Sequence, residues 1–267
     1  MLDGRPRLVT EGLVATIVSV HSFRGGTGKS NTTANLSAVV AARGLRVGVI
    51  DADIQSPGIH VLFGLAGETG HASLNDFLWN DRPIQDVALD VTDRVGGVDG
   101  GRLFLIPSSM EPGEITRVLR EGYDAQRLTT GLRELVDQLS LDVLFIDTHP
   151  GLNEETLLSL VISDVLLIVM RPDRQDFEGT GITARVATEL EVPQIFIVVN
   201  KTPTDFDFAS VADLVRSTYA CDVAAVLPHS DDLMRLGSEG VFALGNPDHE
   251  LTGLYRALAS RVIPVPQ

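Results

Sequence analysis

HSFRGGTGKSN, residues 21–31, is the stretch that decides the fold of this 267-residue chain. Its last part, Gly28-Lys29-Ser30, matches the end of the phosphate-binding loop pattern G-x-x-x-x-G-K-[ST], but Phe23 stands where the first glycine of that pattern belongs. A β-branched run precedes the stretch and a helical pattern follows it, which is the strand–loop–helix context that such a loop requires. The sequence therefore predicts a nucleotide site whose loop departs from the standard pattern at one position.

The loop residues suit the chemistry of phosphate binding. Gly25, Gly26 and Gly28 have no Cβ, so successive backbone N–H groups can converge on phosphate oxygens at the N-terminus of the following helix. Lys29 would bridge the β- and γ-phosphates of ATP, and the hydroxyl of Ser30 would bind Mg²⁺. The candidate nucleotide-binding residues of the loop are Gly25, Gly26, Thr27, Gly28, Lys29, Ser30 and Asn31.

Outside the loop, short β-branched runs alternate with longer segments of helical period. This alternation is typical of an α/β fold in which a mostly parallel sheet is covered by helices on both faces. We predict a single doubly wound P-loop NTPase domain over residues 1–267. The predicted strands are 15–21, 46–51, 103–106, 143–147, 165–170, 194–199 and 224–227. The predicted helices are 29–42, 123–139, 207–219 and 231–238.

Two segments depart from this alternation. Residues 64–101 are rich in glycine around one short helix at 73–79, and they have too few apolar residues for a second core. We interpret them as an irregular excursion, either a partner surface or a solvated connection. Residues 248–267 form a C-terminal helix and tail with a partial apolar stripe, which fits packing on the domain better than insertion into a membrane. The stripe consists of Leu254, Tyr255, Leu258 and Val262.

Aspartates follow two of the predicted strands. Asp51 and Asp53 come at the end of one strand, and Asp147 ends another. Open α/β sheets bind ligands at the carboxyl ends of their strands, and close carboxylates are costly without a nearby cation. We therefore expect Mg²⁺ here, with Ser30, Asp53 and Asp147 as the metal-site residues. His149 is not expected to be a general base, because phosphoryl transfer depends on positioning and electrostatics more than on proton abstraction.

The composition of the chain indicates which cellular compartment and which classes of binding partner to expect. The 21 Lys and Arg stand against 36 Asp and Glu, and the net charge of −15 disfavours binding to DNA and to anionic lipid. The single Cys221 cannot form an intrachain disulfide or a cysteine metal cluster. Residues 1–12 lack the pattern of a secretion signal, and no apolar run is long enough to span a membrane. We expect a cytoplasmic protein, and peripheral membrane contact has only weak support.

The stretch R-G-G-T-G-K-S resembles the deviant Walker A loop, K-G-G-x-G-K-[ST], of the ParA/MinD family of dimeric P-loop ATPases. In that pattern the first standard glycine varies, which accounts for Phe23, and a signature lysine reaches across the dimer interface to the partner's ATP. Arg24 stands at the position of that lysine. Arginine keeps the charge and adds a planar fork of donors, so the resemblance implies that Arg24 acts from the partner subunit. The alternative is a loop arginine paired with an acid of its own chain.

The resemblance also implies roles for residues further along the chain. Asp53 would orient the attacking water, Asp147 would contact Mg²⁺ through water, and residues 148–151 would form a switch that senses the γ-phosphate. Asn200 and Pro228 would contact the adenine base. The catalytic residues implied in this way are Arg24, Lys29 and Asp53. Residues expected at the dimer interface, without a chemical role, are Asp173, Gln175, Asp176 and Gly179.

For function, the resemblance implies a homodimer that ATP closes and that a protein partner reopens by stimulating hydrolysis. Such a switch positions or regulates a cellular assembly. A second interpretation is an ATP-binding scaffold with little turnover, which Arg24 in place of lysine suggests. A third is a metal-cluster carrier or a biosynthetic enzyme of the same fold. The single cysteine weakens the carrier interpretation, and no second substrate site is recognised in the sequence.

Overall fold

The computed structural model describes residues 15–68 and 70–264. The prediction about residues 1–12 and the last residues of the predicted tail lie outside this part of the chain. The strands are β1 (Thr16–His21), β2 (Arg46–Asp51), β3 (Leu89–Asp90), β4 (Arg102–Ile106), β5 (Val143–Asp147), β6 (Val165–Met170), β7 (Gln194–Thr202) and β8 (Asp222–Pro228). The helices are α1 (Lys29–Ala41), α2 (Ile59–Leu62), α3 (Leu74–Trp79), α4 (Thr92–Val95), α5 (Pro112–Glu121), α6 (Ala125–Leu139), α7 (Glu154–Val161), α8 (Arg174–Glu189), α9 (Phe208–Tyr219), α10 (Asp231–Arg235), α11 (Phe242–Gly245) and α12 (Glu250–Val262), with a 3₁₀ turn at Ile84–Val87.

The strands form one eight-stranded sheet in the order β3-β4-β2-β5-β1-β6-β7-β8. All neighbouring pairs are parallel except β3 and β4. After β1, the chain forms β2 to β5 on one side of β1 and then crosses to the other side to form β6, β7 and β8. The strand order therefore changes direction at β1. Ligands of open α/β sheets bind at such a point, beyond the carboxyl ends of the strands. The predicted fold class is confirmed.

Side chains of the sheet alternate between two apolar layers, as β5 shows. Val143 and Phe145 pack in the layer of α1 and α12, whereas Leu144 and Ile146 pack in the layer of α6. On the second face, strands β6 and β7 contribute to a further cluster with α8 and α9. Because successive strand residues point to opposite faces, a strand that is apolar throughout is covered on both sides. The helices therefore lie on both faces, as the sequence predicted.

Every predicted strand and helix is present, with different ends in some. Strand β8 begins earlier than predicted, and β7 runs on to Thr202 through a register shift against β8. Helix α10 ends at Arg235 because Gly237 and Ser238 have φ values of 58° and 68°, in the left-handed region. Sequence patterns did not individually identify the short strand β3 or the helices α2, α4, α5, α7, α8 and α11. Helix α8 contains two glycines, which lower helical propensity and hide the pattern.

The excursion at 64–101 contains α3, the 3₁₀ turn, β3 and α4, so it is less irregular than predicted. Its apolar side chains join the two main layers: Leu65 and Val91 pack in the layer of α1, and Leu74, Phe77 and Ile84 pack in the layer of α6. The segment is therefore anchored on the sheet domain, and a role as a partner surface stays a prediction.

The C-terminal helix α12 packs against α1 through the predicted stripe. Tyr255, Leu258 and Val262 are buried, and Leu254 is partly buried against the same cluster. The apolar side of the helix is thus already covered by the domain, which agrees with packing instead of membrane insertion. In residues 15–68 and 70–264 we find no helix that combines the length and hydropathy needed to span a membrane.

Candidate nucleotide-binding site

The phosphate loop connects β1 to α1 and depends on glycine at two positions. Gly26 and Gly28 have φ values of 81° and 93°, which L side chains rarely adopt. A Cβ on Gly28 would also lie 2.3 Å from Nδ2 of Asn200, so any other residue would push the loop away from β7. Apart from the adjoining residues, no atom of residues 15–68 and 70–264 lies within 4 Å of a Cβ added at Gly25 or Gly26. The exposed side of the loop therefore has room for a ligand to approach the backbone.

Lys29 lies at the start of α1 and pairs with the aspartate that ends β5. Its Nζ is 2.8 Å from Oδ1 of Asp147, and the hydroxyl of Thr33 donates to the same oxygen over 3.0 Å. The side chains of Lys29 and Asp147 are only 6% and 1% exposed. A charged pair this deeply buried needs such additional hydrogen bonds. Thr33 was not among the predicted site residues, because its contact depends on the packing of α1 beside β5.

Asp51 ends β2 directly beside Asp147, its register partner on β5. Its carboxylate accepts hydrogen bonds from the backbone N–H groups of Asp53 and Gly58, at 3.2 and 3.1 Å. Burial, together with the negative charge of Asp147, raises the pKa of Asp51 to about 8. The cluster thus holds more carboxyl groups than Lys29 alone can keep ionised, which is the environment that a divalent cation relieves. The residues present therefore fit Mg²⁺ bound with a nucleotide.

The three predicted metal-site residues lie around the same edge of the sheet. Ser30 is half-buried in the first turn of α1, Asp53 follows β2, and Asp147 ends β5. Within the described residues, no three His, Cys, Asp or Glu side chains are grouped so that they alone could hold a metal. Mg²⁺ usually keeps several waters and binds through one or two carboxylates together with substrate phosphates. These assignments stay predictions.

Asp53 contacts a histidine from the loop after β5. Nδ1 of His149 lies 2.6 Å from Oδ1 of Asp53, and the backbone N–H of Ser56 donates to the same oxygen over 3.2 Å. Sequence reasoning rejected His149 as a general base, included it in the switch segment 148–151, and missed this contact. Residues that lie 96 positions apart in the chain meet here because β2 and β5 are neighbours in the sheet.

The loop after β5 is tied to β1 and to the phosphate loop. Both the N–H and the hydroxyl of Thr148 donate to the carbonyl of Val20, and the N–H of Gly151 donates to the carbonyl of Ser22 over 3.0 Å. The Thr148 hydroxyl also accepts from Nδ1 of His21 over 2.8 Å. Burial, with the charge of Lys29, lowers the pKa of His21 to about 3, so this imidazole is neutral. The predicted switch segment is thus in direct contact with the nucleotide loop.

The residues predicted to bind the base lie at the ends of β7 and β8. Nδ2 of Asn200 donates to the carbonyl of Thr27 over 2.8 Å, while Pro228 ends β8 opposite Thr202. Between them, Lys201 has a φ of 55° at the register shift, and its Nζ donates to the carbonyl of Gly26 over 2.8 Å. Lys201 was missed, because its left-handed backbone cannot be seen in the sequence.

Arg24 contacts its own chain. Its guanidinium hydrogen-bonds to the side-chain oxygen of Gln175 and lies 3.7 Å from Oδ1 of Asp176, at the start of α8. The Arg24 side chain remains 38% exposed. Beside it, the ring of Phe23 lies over Gly179, where a Cβ would be 2.1 Å from Phe23 Cδ1. Residues 175, 176 and 179, which were expected only at a dimer interface, therefore support the loop within the subunit.

Comparisons with known sequences identify the family. The sequence profile of the AAA domain family matches residues 15–192. An uncharacterized ATP-binding protein of Methanocaldococcus jannaschii is 25% identical over 256 residues, which cover 94% of this chain and 89% of that protein. An iron–sulfur cluster carrier protein of Pyrococcus horikoshii is 29% identical over 188 residues, which cover 68% of this chain and 60% of that protein.

Comparisons with solved structures identify the fold. The cell division ATPase MinD of Pyrococcus furiosus superposes with a TM-score of 0.76 at 20% identity, covering 93% of this chain and 98% of that one. MinD of Pyrococcus horikoshii in complex with Mg-ADP gives 0.75 at 19% identity, with coverage of 94% and 97%. A ParA family ATPase of Chlorobium tepidum gives 0.74 at 19% identity, with coverage of 92% and 99%. The chain therefore belongs to the AAA domain family, and its fold is that of the MinD and ParA ATPases, as the sequence resemblance predicted.

Proposed function

We propose that the protein binds ATP with Mg²⁺, forms a homodimer in the ATP state, and returns to the monomer after hydrolysis. The observation that carries this proposal is the convergence of four predicted residues at one edge of the sheet. Lys29 and Ser30 begin α1, Asp147 ends β5, and Asp53 follows β2, all around the open phosphate loop. This is the position at which doubly wound sheets bind ligands.

Each residue has a role that follows from its place. The backbone N–H groups of the loop would bind the β- and γ-phosphates, and Lys29 would turn from Asp147 to the phosphate oxygens. Ser30, and Asp147 through water, would hold Mg²⁺, which supplies positive charge at the phosphates when bound. Asp53 would orient the attacking water. Asn200 and Pro228 would contact the base at the ends of β7 and β8.

The exposed side of the loop supports the proposed dimer. Gly25, Gly26 and the partly exposed Arg24 lie at the surface, and Arg24 would leave Asp176 and reach the ATP of a partner subunit. An arginine placed in this way stabilises the charge of a phosphoryl-transfer transition state. Two structural relatives, a cell division ATPase and a septum site-determining protein, support a role in positioning a cellular assembly.

We also propose that the ATP dimer binds a protein partner in the cytoplasm, and that this partner stimulates hydrolysis. A net charge of −15 argues against DNA as the bound surface, and the buried stripe of α12 argues against a membrane anchor. If the partner binds the dimer more tightly than the monomer, ATP controls whether the protein is attached to its partner.

A scaffold with little turnover is the second candidate, and the position of Arg24 favours it. The guanidinium is held by Gln175 and Asp176 of its own chain, so it has partners without a second subunit. A cluster carrier is supported by one relative, the iron–sulfur cluster carrier protein of Pyrococcus horikoshii, but not by the residues of this chain. Cys221 directly precedes β8, at the amino ends of the parallel strands, whereas the phosphate loop lies at their carboxyl ends. Burial raises the pKa of the Cys221 thiol, which disfavours the thiolate that binds metal.

The test is to measure mass and turnover together on the wild-type chain. Light scattering with Mg-ATP should show a shift from 28.7 kDa to twice that mass, and Mg-ADP should leave the monomer. Phosphate release should be slow and should depend on protein concentration, because only the dimer has complete sites. Turnover at an unchanged monomer mass would contradict the switch. Dimer formation without measurable turnover would favour the scaffold.

A further inference from the structure

The contact between His149 and Asp53 is short and shielded. Nδ1 of His149 lies 2.6 Å from Oδ1 of Asp53, and the two side chains are 23% and 11% exposed. A carboxylate that accepts a hydrogen bond in such a place is held more firmly than one at the surface, because little water competes for it. The imidazole therefore restricts the orientation of the Asp53 side chain.

Hydrogen bonds from residues before and after His149 in the sequence hold its backbone in place. Before it, Thr148 is bonded to Val20 of β1 through its N–H and its hydroxyl, at 3.2 and 3.1 Å. After it, the hydroxyl of Thr156 in α7 donates to the carbonyl of His149 over 3.3 Å, and Asn153 caps that helix by accepting from the Thr156 N–H. The backbone that carries the imidazole is thus held by β1 and by the start of α7.

The two oxygens of Asp53 have different surroundings. Oδ1 accepts from Nδ1 of His149 and from the N–H of Ser56. From the part of the chain that the structure describes, no hydrogen bond reaches Oδ2. With Oδ1 fixed by two donors, the carboxylate plane is set and Oδ2 is the oxygen left to accept a hydrogen bond from water.

We propose that His149 is a positioning residue that orients Asp53, so that Oδ2 can align the attacking water. This inference rests on the proposed function, in which Asp53 has that task. His149 acts through Asp53 and does not remove a proton, since its Nδ1 donates to the carboxylate. Removing a hydrogen-bonding partner of a metal ligand commonly lowers metal affinity or activity by about 10- to 100-fold, and we expect an effect of that size for the partner of Asp53.

The kinetic test compares three substitutions. His149→Asn places an amide N–H near the position of Nδ1, His149→Gln places one near Nε2, and His149→Ala removes the donor. We expect Ala and Gln to lower kcat by about tenfold or more, with KM for ATP and the ATP-dependent dimer unchanged, and Asn to restore most of kcat. The control is His71→Ala, which removes another histidine–carboxylate pair, 2.8 Å from Glu68, and should leave kcat unchanged. Equal kcat for Ala and wild type, or equal losses in all three variants with a raised KM, would overturn the proposal.

A spectroscopic test does not depend on hydrolysis. Nitrogen-15 NMR of the wild-type imidazole should show a proton on Nδ1 of His149, and Asp53→Ala should change that signal. An unprotonated Nδ1 in the wild type would overturn the inference. If the wild type neither dimerises nor hydrolyses ATP, the proposed function fails, while the NMR result still decides whether His149 and Asp53 are bonded.

Discussion

The phosphate loop makes two contacts between a cation and a carboxylate, and they differ in almost every respect. Lys29 and Asp147 are buried, 2.8 Å apart, with Thr33 as a further donor. Arg24 and Asp176 are 3.7 Å apart, and Arg24 is 38% exposed although Asp176 is buried. The first contact is part of the interior of the domain, whereas the second lies at its surface.

The difference separates the permanent part of the site from the part that can move. Breaking a buried pair leaves an uncompensated charge, so Lys29 is fixed unless a phosphate replaces Asp147 as its partner. Arg24 is partly in water, and the buried Asp176 keeps a second cation when Arg24 leaves, because Nε of Arg171 lies 3.2 Å from its Oδ2. Arg24 can therefore leave its own subunit at small cost, which an arginine acting on a partner's ATP must do.

The largest effect is expected for Lys29→Ala. Asp147 would lose its cation inside the protein, and the free energy of unfolding should fall by about 3 kcal/mol, with ATP binding lost. Denaturant unfolding and nucleotide titration measure the two effects. The control is Arg235→Ala, which breaks an exposed pair with Asp232 and should change stability by less than about 1 kcal/mol. If both variants lost the same free energy of unfolding, the proposed difference between the buried pair and the exposed pair would be contradicted.

A smaller effect is expected for Gly179→Ala, which changes the surface of α8 against which Phe23 of the loop packs. The new Cβ would lie 2.1 Å from Cδ1 and 2.8 Å from Cβ of Phe23, so the residue before Arg24 must shift. We expect a loss of about 1–3 kcal/mol in the free energy of unfolding, and weaker ATP binding. The control is Gly253→Ala in α12. Beyond the helix's own backbone and the adjoining residues, no atom in the described part of the chain lies within 4 Å of the added Cβ, and a small gain is expected. A stabilised Gly179→Ala protein would show that the loop does not rest on α8.

The smallest effect on stability is expected for Arg24→Ala, at less than about 1 kcal/mol. ATP affinity of the monomer should be kept, while dimer formation or hydrolysis falls, because the arginine is needed only across the interface. Arg24→Lys keeps the charge without the planar fork, so comparing the two variants separates charge from geometry. An Arg24→Ala protein that dimerises and hydrolyses ATP like the wild type would confine Arg24 to its contact with Asp176.

The sequence predicted those parts of the site that depend on local pattern. Residues Gly25 to Ser30 lie between β1 and α1 or begin α1, and the aspartates lie at strand ends, because a strand, a loop and a helix in succession determine these positions. Their roles in binding the nucleotide stay predictions. The doubly wound sheet followed from the alternation of strands and helices.

Contacts that depend on strand order could not be predicted. The pair of His149 and Asp53 spans 96 positions, and the contact of Lys201 with Gly26 spans 175. Helix α8 was missed for a related reason. Gly179 and Gly181 lower its propensity, but each faces an aromatic ring, of Phe23 and Tyr219, that a Cβ would crowd. Packing between distant segments therefore explains residues that look unfavourable locally.

The most direct test of the account is the mass of Asp53→Ala in the presence of ATP. If Asp53 serves hydrolysis and not ATP binding, this variant should remain a 28.7 kDa monomer with ADP and become a stable dimer of twice that mass with Mg-ATP. Asp137→Ala, which removes an exposed carboxylate of α6, should behave like the wild type. An Asp53→Ala protein that binds ATP and stays monomeric would contradict the account.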